Sequence, residues 1–253
     1  MKVAIIGSGN VGKALAGSAT RAGHEVTIAS RHHEKAEEAA RATNAQAASS
    51  PKDAVKDAEL VVLAVPADQV DDVVGALSSD LDGKVIIDVT NRVNPQDPGQ
   101  VLDGSSVAEH IQKKAPRAHV VKAFNYAFAS RMANPRSNGT QLDGFVAGDD
   151  EAAKQKTLVF ARSIGFRPID AGPLSMARAL EGMGLLHVLL QIKHEGLVTF
   201  SLAADNSTGW IVTYDGGHPH IGSLTGGTPG TKLLAQVIGP AEWIVRYQEN
   251  ADQ

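Results

Sequence analysis

The chain has 253 residues, a formal charge of −4 and no cysteine. That length is enough for one large domain or two smaller ones with a full apolar core. The missing cysteine excludes disulfides, thiolate catalysis, cysteine-ligated zinc and cysteine-held iron–sulfur clusters, and the weak acidic balance without a long basic run argues against nucleic acid as the main partner. The chain enters a strand at once, and no apolar stretch is long enough for a signal-peptide core or a membrane span. A soluble, cytoplasmic protein that avoids membranes is the expectation.

Lys2–Ile6 reads as a strand, and Gly7-Ser8-Gly9-Asn10-Val11-Gly12 as a glycine-rich turn opening a helix that runs through Ala22. A second strand, Glu25–Ala29, follows and ends in Ser30-Arg31. Strand, glycine turn, helix and strand in this order form the dinucleotide-binding fingerprint. Gly7 makes the tight turn, Gly9 lets the backbone approach a pyrophosphate, and Gly12 lets helix and strand pack closely. The pyrophosphate is expected on the helix N-terminus near Asn10, where free N–H groups favour negative charge. An acidic residue at the end of the second strand would bind a ribose 2′-hydroxyl. Ser30 and Arg31 instead offer a hydroxyl and a planar cation, with Lys35 one helical turn on, which suits a 2′-phosphate. The nucleotide read from these residues is NADP(H).

His33–Thr43 reads as a charged surface helix and Ala45–Ala48 as a short edge strand. Ser50-Pro51 caps and starts a helix through Asp57. Leu60–Val65 is a continuous apolar run, as a buried parallel strand requires. Then come a helix at Val70–Leu77, a strand at Lys84–Asp88, a helix at Val107–Ala115 and a strand at His119–Ala123. Gly144–Gly148, a helix at Glu151–Ile164 and a short strand near Arg167–Ile169 complete the alternation. This pattern predicts an α/β fold of Rossmann type, a doubly wound parallel sheet with helices on both faces. Residues 1–171 are assigned to it. Residues 172–253 are assigned to a small helical C-terminal part, built on a helix from Ser175 to about Ser201 that is apolar on nearly every side. That helix is also the expected seam of a homodimer. Asp215–Gly230 reads as a glycine-rich loop, and Lys232–Tyr247 as a resumed helical pattern broken at Gly239-Pro240. No internal repeat is evident.

Several segments together resemble one family, the coenzyme F420-dependent NADP oxidoreductases. They are the glycine turn, Ser30-Arg31 with Lys35, Ala64-Val65-Pro66, Asp88-Val89-Thr90-Asn91, Val121–Asn125, and Gly165–Leu174 leading into Ala177-Arg178 and Leu180-Glu181. The resemblance covers about the first 200 residues. The same part is similar to the cytoplasmic reductase portion of membrane metalloreductases, which pair NADPH with an ordinary flavin. The resemblance implies hydride transfer between NADP(H) and a small-molecule acceptor stacked on the nicotinamide, F420 foremost, with FMN or FAD as other ring acceptors. It implies that Gly7, Ser8, Gly9, Asn10, Val11 and Gly12 hold the pyrophosphate turn, and that Ser30, Arg31 and Lys35 hold the 2′-phosphate. Ala64, Val65 and Pro66 would line the crevice, and Asn91, Ala123 and Asn125 would lie near the nicotinamide and its partner. The chain departs from the family pattern at Pro66-Ala67-Asp68-Gln69, at Asn91 through Pro95, and in the tail after Asp215.

Ring-to-ring hydride transfer needs no protein acid or base, because the cofactors carry the chemistry, and no catalytic side chain is assigned. Two other classes stay open. One is a reductase of a small carbonyl or imine, which would need a proton donor. The other is a non-catalytic NADP(H)-sensing module. His187 and His194 lie seven apart on the long helix, either facing substrate or hydrogen-bonded in the core. His218-Pro219-His220 resembles a metal pair without the further ligands a site needs, and no metal is expected. Lys122 reads as structural. Arg131 and Arg136 either meet a phosphate-bearing cofactor tail or belong to a solvated loop.

Overall fold

The computed structural model describes residues 1–93, 96, 104–137 and 140–193, together with strands at 201–204, 210–213, 232–239 and 242–248. Six strands, β1 (Lys2–Ile6), β2 (Glu25–Ala29), β3 (Gln46–Ala47), β4 (Leu60–Leu63), β5 (Val85–Asp88) and β6 (His119–Ala123), pair in parallel in the order β3-β2-β1-β4-β5-β6. This is the doubly wound order whose reversal point, between β1 and β4, opens a crevice at the carboxyl ends of the strands. A small hairpin, β7 (Arg136–Ser137) and β8 (Thr140–Gln141), precedes β9 (Asp143–Gly148). β9 joins β6 antiparallel, and β10 (Arg167–Gly172) adds in parallel beyond it, giving an eight-stranded sheet.

Alternate residues of each central strand feed two apolar cores. Val3 and Ile5 of β1 join Val26, Leu60, Val62 and Ile87 on one face, with Leu15 of α1 (Asn10–Arg21), Ala36 and Ala39 of α2 (His33–Thr43). Ala4 and Ile6 join Val61, Leu63 and Ile86 on the other. There they meet Val55 of α3 (Pro51–Val55), Val74 of α4 (Val70–Leu77) and Ile111 of α5 (Val107–Lys114). A strand buried on both faces must be apolar at every position, which explains the unbroken Leu60–Leu63 run. After β6 come α6 (Ala129–Ala133), α7 (Glu151–Ser163) and, past β10, α8 (Ala177–Lys193). Local chemistry sets several starts. The Ser50 hydroxyl accepts from the Asp53 amide with Pro51 at the first helical position. Ser106 and Glu109 form a capping box on α5.

Met1–Val188 forms one compact unit and Leu189–Gln253 a second. Within the second unit the helical reading of Lys232–Tyr247 is corrected, because Lys232–Gly239 (β13) and Glu242–Gln248 (β14) form an antiparallel hairpin. The two strands carry Val237, Trp243, Val245 and Tyr247, residue types that favour strands over helices. The expected end of the long helix, near Ser201, falls in a strand. Ser201–Ala204 (β11) is a strand paired with Trp210–Thr213 (β12). His194, the 215–230 loop and His218-Pro219-His220 lie outside the described residues.

The helix α8 meets the carboxyl side of the sheet through every third residue. Arg178 forms a two-pronged pair with Glu109 at 2.7 and 2.8 Å. Glu181 accepts from Lys122 and from the Val107 amide, Gly184 lies against Asn91 and Asn125, and His187 bonds the Tyr126 carbonyl. The Arg178 guanidinium beside Glu109, with the Ser106 bonds, holds this carboxyl down at about 2. Its pKa in the folded chain lies below the ordinary 4.5, so its contribution is complete above that value and fades as pH falls towards 2. Glu109→Gln is therefore expected to lower stability by about 1–2 kcal/mol at neutral pH. The gap between variant and parent should close on acidification in denaturant titrations. A constant gap would mean that the carboxylate charge is not the cause.

Candidate dinucleotide site

A cleft of about 540 Å³ opens over the reversal point, a size suited to part of a dinucleotide. Its floor is Ile6, Gly7, Ser8 and Gly9, one wall is Ser30, Arg31, His32 and Lys35, and the other runs from Ala64-Val65-Pro66 to Gln69, Asp72 and Val73 on and before α4. Gly7 has φ +121°, and a Cβ there would collide with the Ala64 carbonyl; a Cβ on Gly12 would collide with the Gly7 carbonyl. The two glycines are thus fixed by fold geometry. At Gly9 a Cβ would meet nothing within 4 Å, so its backbone faces open space. Gly9 is also the N-cap of α1. No side chain caps the helix and its first turn holds no carboxylate, so the first amides remain available to an anion. Asn10, Val11 and Gly12 form that first turn.

At the far end, Arg31 and Lys35 are exposed, and their side chains make no hydrogen bond or ion pair among the described residues. The Ser30 hydroxyl donates to the His32 carbonyl at 2.6 Å, so it serves its own turn. His32 lies within 3.8 Å of Glu34 and also lines the cleft. Sequence reading passed over it, although its place beside Arg31 was a signal. Gln69, Asp72 and Val73 were likewise missed, since only folding brings α4 over the crevice.

Asn91, Ala123 and Asn125 form a second group at the ends of β5 and β6. Ala123 is fully buried, backbone included. Phe124 follows in the left-handed region, φ +62°, a strained conformation for an aromatic residue that packing must hold. Its ring supplies that packing, buried against Phe160 and Phe166. The turn sets Asn125 against Asn91. The Asn125 Nδ2 donates to Asn91 Oδ1 and to the Leu180 carbonyl, both at 2.8 Å, and Asn91 Nδ2 donates to the Asn125 carbonyl. A Cβ on Gly184 would stand 2.9 Å from Asn91 Oδ1 and 3.2 Å from Asn125 Nδ2, so only glycine lets α8 lie this close.

Directly beneath this pair is a buried charge cluster. The Lys122 ammonium, fully buried, donates to Asp88 at 2.8 Å, Glu181 at 2.9 Å and the Thr90 carbonyl at 2.6 Å. Asp88 also accepts from the Thr90 amide. Lys122 thus fixes the strand-end loop that carries Asn91, as its structural reading anticipated. His187 is buried, with Nδ1 2.9 Å from the Tyr126 carbonyl and its ring on Phe128. Burial holds its pKa below the ordinary 6.5, against the upward pull of that hydrogen bond. Among the described residues no three His, Asp or Glu side chains converge as a metal site, and no helix is long and apolar enough to cross a membrane.

The chain is similar to several known proteins. The family model described as NADP oxidoreductase coenzyme F420-dependent matches residues 2–92. The F420-dependent NADP reductase of Methanocaldococcus jannaschii is 32% identical over 217 residues, covering 77% of this chain and 94% of its own. The metalloreductase STEAP3 of Rattus norvegicus is 31% identical over 185 residues, 73% of this chain, and the chain spans only 36% of that relative. The crystal structure of a candidate F420-dependent NADP-reductase from Arthrobacter sp. FB24 superposes with a TM-score of 0.65 at 29% identity, over 76% of this chain and 94% of that one. Fold, glycine turn and overall similarity agree, and the chain belongs to the family of F420-dependent NADP reductases.

Proposed function

We propose that this protein transfers a hydride between NADP(H) and a ring acceptor, coenzyme F420 foremost, by holding the two rings in contact over the carboxyl ends of β4, β5 and β6. The observation that carries the reading is the pair of unpartnered cations, Arg31 and Lys35, at one end of a cleft whose floor is the uncapped start of α1. The family relation supports it. Bound NADP(H) and F420 supply hydride donor and acceptor themselves. The protein's part is to bind, orient and exclude water. The α1 amides and Gly9 take the pyrophosphate, Arg31 and Lys35 the 2′-phosphate, and Val65 and Pro66 an apolar wall. The Asn91–Asn125 pair forms a fixed floor for the nicotinamide half.

A carbonyl or imine reductase would need a proton donor beside the nicotinamide. Lys122 is committed to two carboxylates and His187 sits on a backbone carbonyl, so neither favours that reading. Mixing purified protein with NADPH and F420, then with FMN or FAD, and following nicotinamide absorbance provides the test. Oxidation with F420 is expected. No oxidation with any ring acceptor would overturn the proposal and leave a sensing module or small-carbonyl reductase. We also assign a homodimer through α8, where Leu186 and, just before the helix, Met176 are exposed at 49% and 41%. A monomer in light scattering would refute it.

A further inference from the structure

The α4 wall of the cleft carries one group that phosphate binding does not account for. Gln69, Asp72, Val73, Ala76 and Leu77 follow one another at three- and four-residue steps, so they share one face, and all five line the cleft. Among the described residues that line it, Asp72 is the one carboxylate. It is exposed, and its side chain makes no hydrogen bond or ion pair among the described residues. Its neighbour Asp71, by contrast, is bound to His110 at 2.6 Å and reached by Lys114 at 3.5 Å, both on α5. A carboxylate in a cleft that takes phosphates opposes binding wherever a phosphate passes near it. It helps only where the ligand turns a hydrogen-bond donor towards it.

The adenosine half of the nucleotide supplies such a donor. With its 2′-phosphate at Arg31 and Lys35 and its pyrophosphate at the start of α1, the ribose is held on the β2 side of the crevice. The base attached to it then reaches across towards α4. There Val65, Val73 and Ala76 offer an apolar surface to the flat ring, and Asp72 stands one helical turn from Gln69 and from Ala76. We propose that the Asp72 carboxylate accepts a hydrogen bond from the exocyclic amino group of adenine, and so selects amino purines over oxo purines. The Gln69 carboxamide can present either its oxygen or its NH2 to a base and does not discriminate, whereas a carboxylate only accepts. The proposal rests on the nucleotide reading above and adds to it a choice of base.

The test exchanges a single group on the base. The whole chain is titrated calorimetrically with NADP+ and with its hypoxanthine analogue, in which an oxygen replaces the amino group and confronts the carboxylate. The analogue should bind about tenfold more weakly, the loss of one charge-assisted hydrogen bond. Asp72→Asn, whose amide can donate to that oxygen, should bring the two affinities within about twofold of each other. The variant should keep the parent's melting temperature, because Asp72 has no partner among the described residues. Equal binding of the two nucleotides by the parent chain would overturn the proposal and leave the nucleotide site standing. So would a preference for NADP+ that persists in Asp72→Asn, since some other group would then be reading the base. Absence of NADP+ binding would remove the nucleotide reading, and the choice of base with it.

Discussion

Replacing Arg31 with glutamate should raise the Michaelis constant for NADPH by about two orders of magnitude while leaving that for NADH nearly unchanged. The side chain is exposed and makes no hydrogen bond or ion pair among the described residues, so the fold does not depend on it and the melting temperature should hold. What it can offer is a planar fork to a phosphate. Charge-assisted hydrogen bonds are worth about 1.5–3 kcal/mol each, and a carboxylate adds repulsion to their loss. Two such bonds already account for a hundredfold change. Solvent screening keeps the figure from rising much higher, and added salt should shrink the difference. Ser30 contributes less, because its proton is committed to the His32 carbonyl. Steady-state kinetics with both nucleotides decide the matter: parallel losses would show that Arg31 has no part in choosing between them.

The largest effect on stability is expected at Lys122. Its ammonium stands fully buried between Asp88 and Glu181. Lys122→Met keeps the volume of the side chain and removes the charge, leaving two carboxylates in the interior with the Arg92 guanidinium 3.9 Å from Glu181 as remaining compensation. Breaking a buried ion pair from one side costs about 3–5 kcal/mol. In a protein of this size that corresponds to a fall of about 6–20 °C in melting temperature. Replacing Asp88 and Glu181 by apolar residues in the same variant should restore part of the loss, since an all-apolar cluster is not intrinsically worse than an ionic one. Calorimetry showing a change below about 1 kcal/mol, the scale of an exposed pair, would mean that water reaches these groups.

The parallel sheet was legible because its signals are local. A glycine turn with Gly7 and Gly12 admits few alternatives, and a run such as Leu60–Leu63 suits a strand covered on both faces. Hydrophobic periodicity served less well after α8. There Lys232–Tyr247 looked helical from its apolar spacing, yet its β-branched and aromatic residues fall in two antiparallel strands that pair with each other. In the cleft, the fingerprint pointed to the glycine turn and the cations at the end of β2, both within 35 residues of the N-terminus, and the structure places them along one cleft. Gln69 and Asp72 were invisible because their place depends on how α4 packs over the sheet. The amide pair was anticipated only through family resemblance. What holds it in place, the turn at Phe124, the bare face at Gly184 and the Lys122 cluster, joins residues up to 93 positions apart, from Asn91 to Gly184, and no local pattern encodes such a contact.

The three-residue rhythm of α8 has a consequence for how this architecture could be inherited. A gene fragment ending at β10 would encode every strand of the large sheet, yet it would expose Lys122 and Asp88 to an interior lacking Glu181, and it would strand the opening amide of α5. Recombination that separated sheet from helix would therefore yield aggregation-prone products, and the smallest piece that evolution could move intact extends well past the nucleotide fingerprint that gives the family its signature.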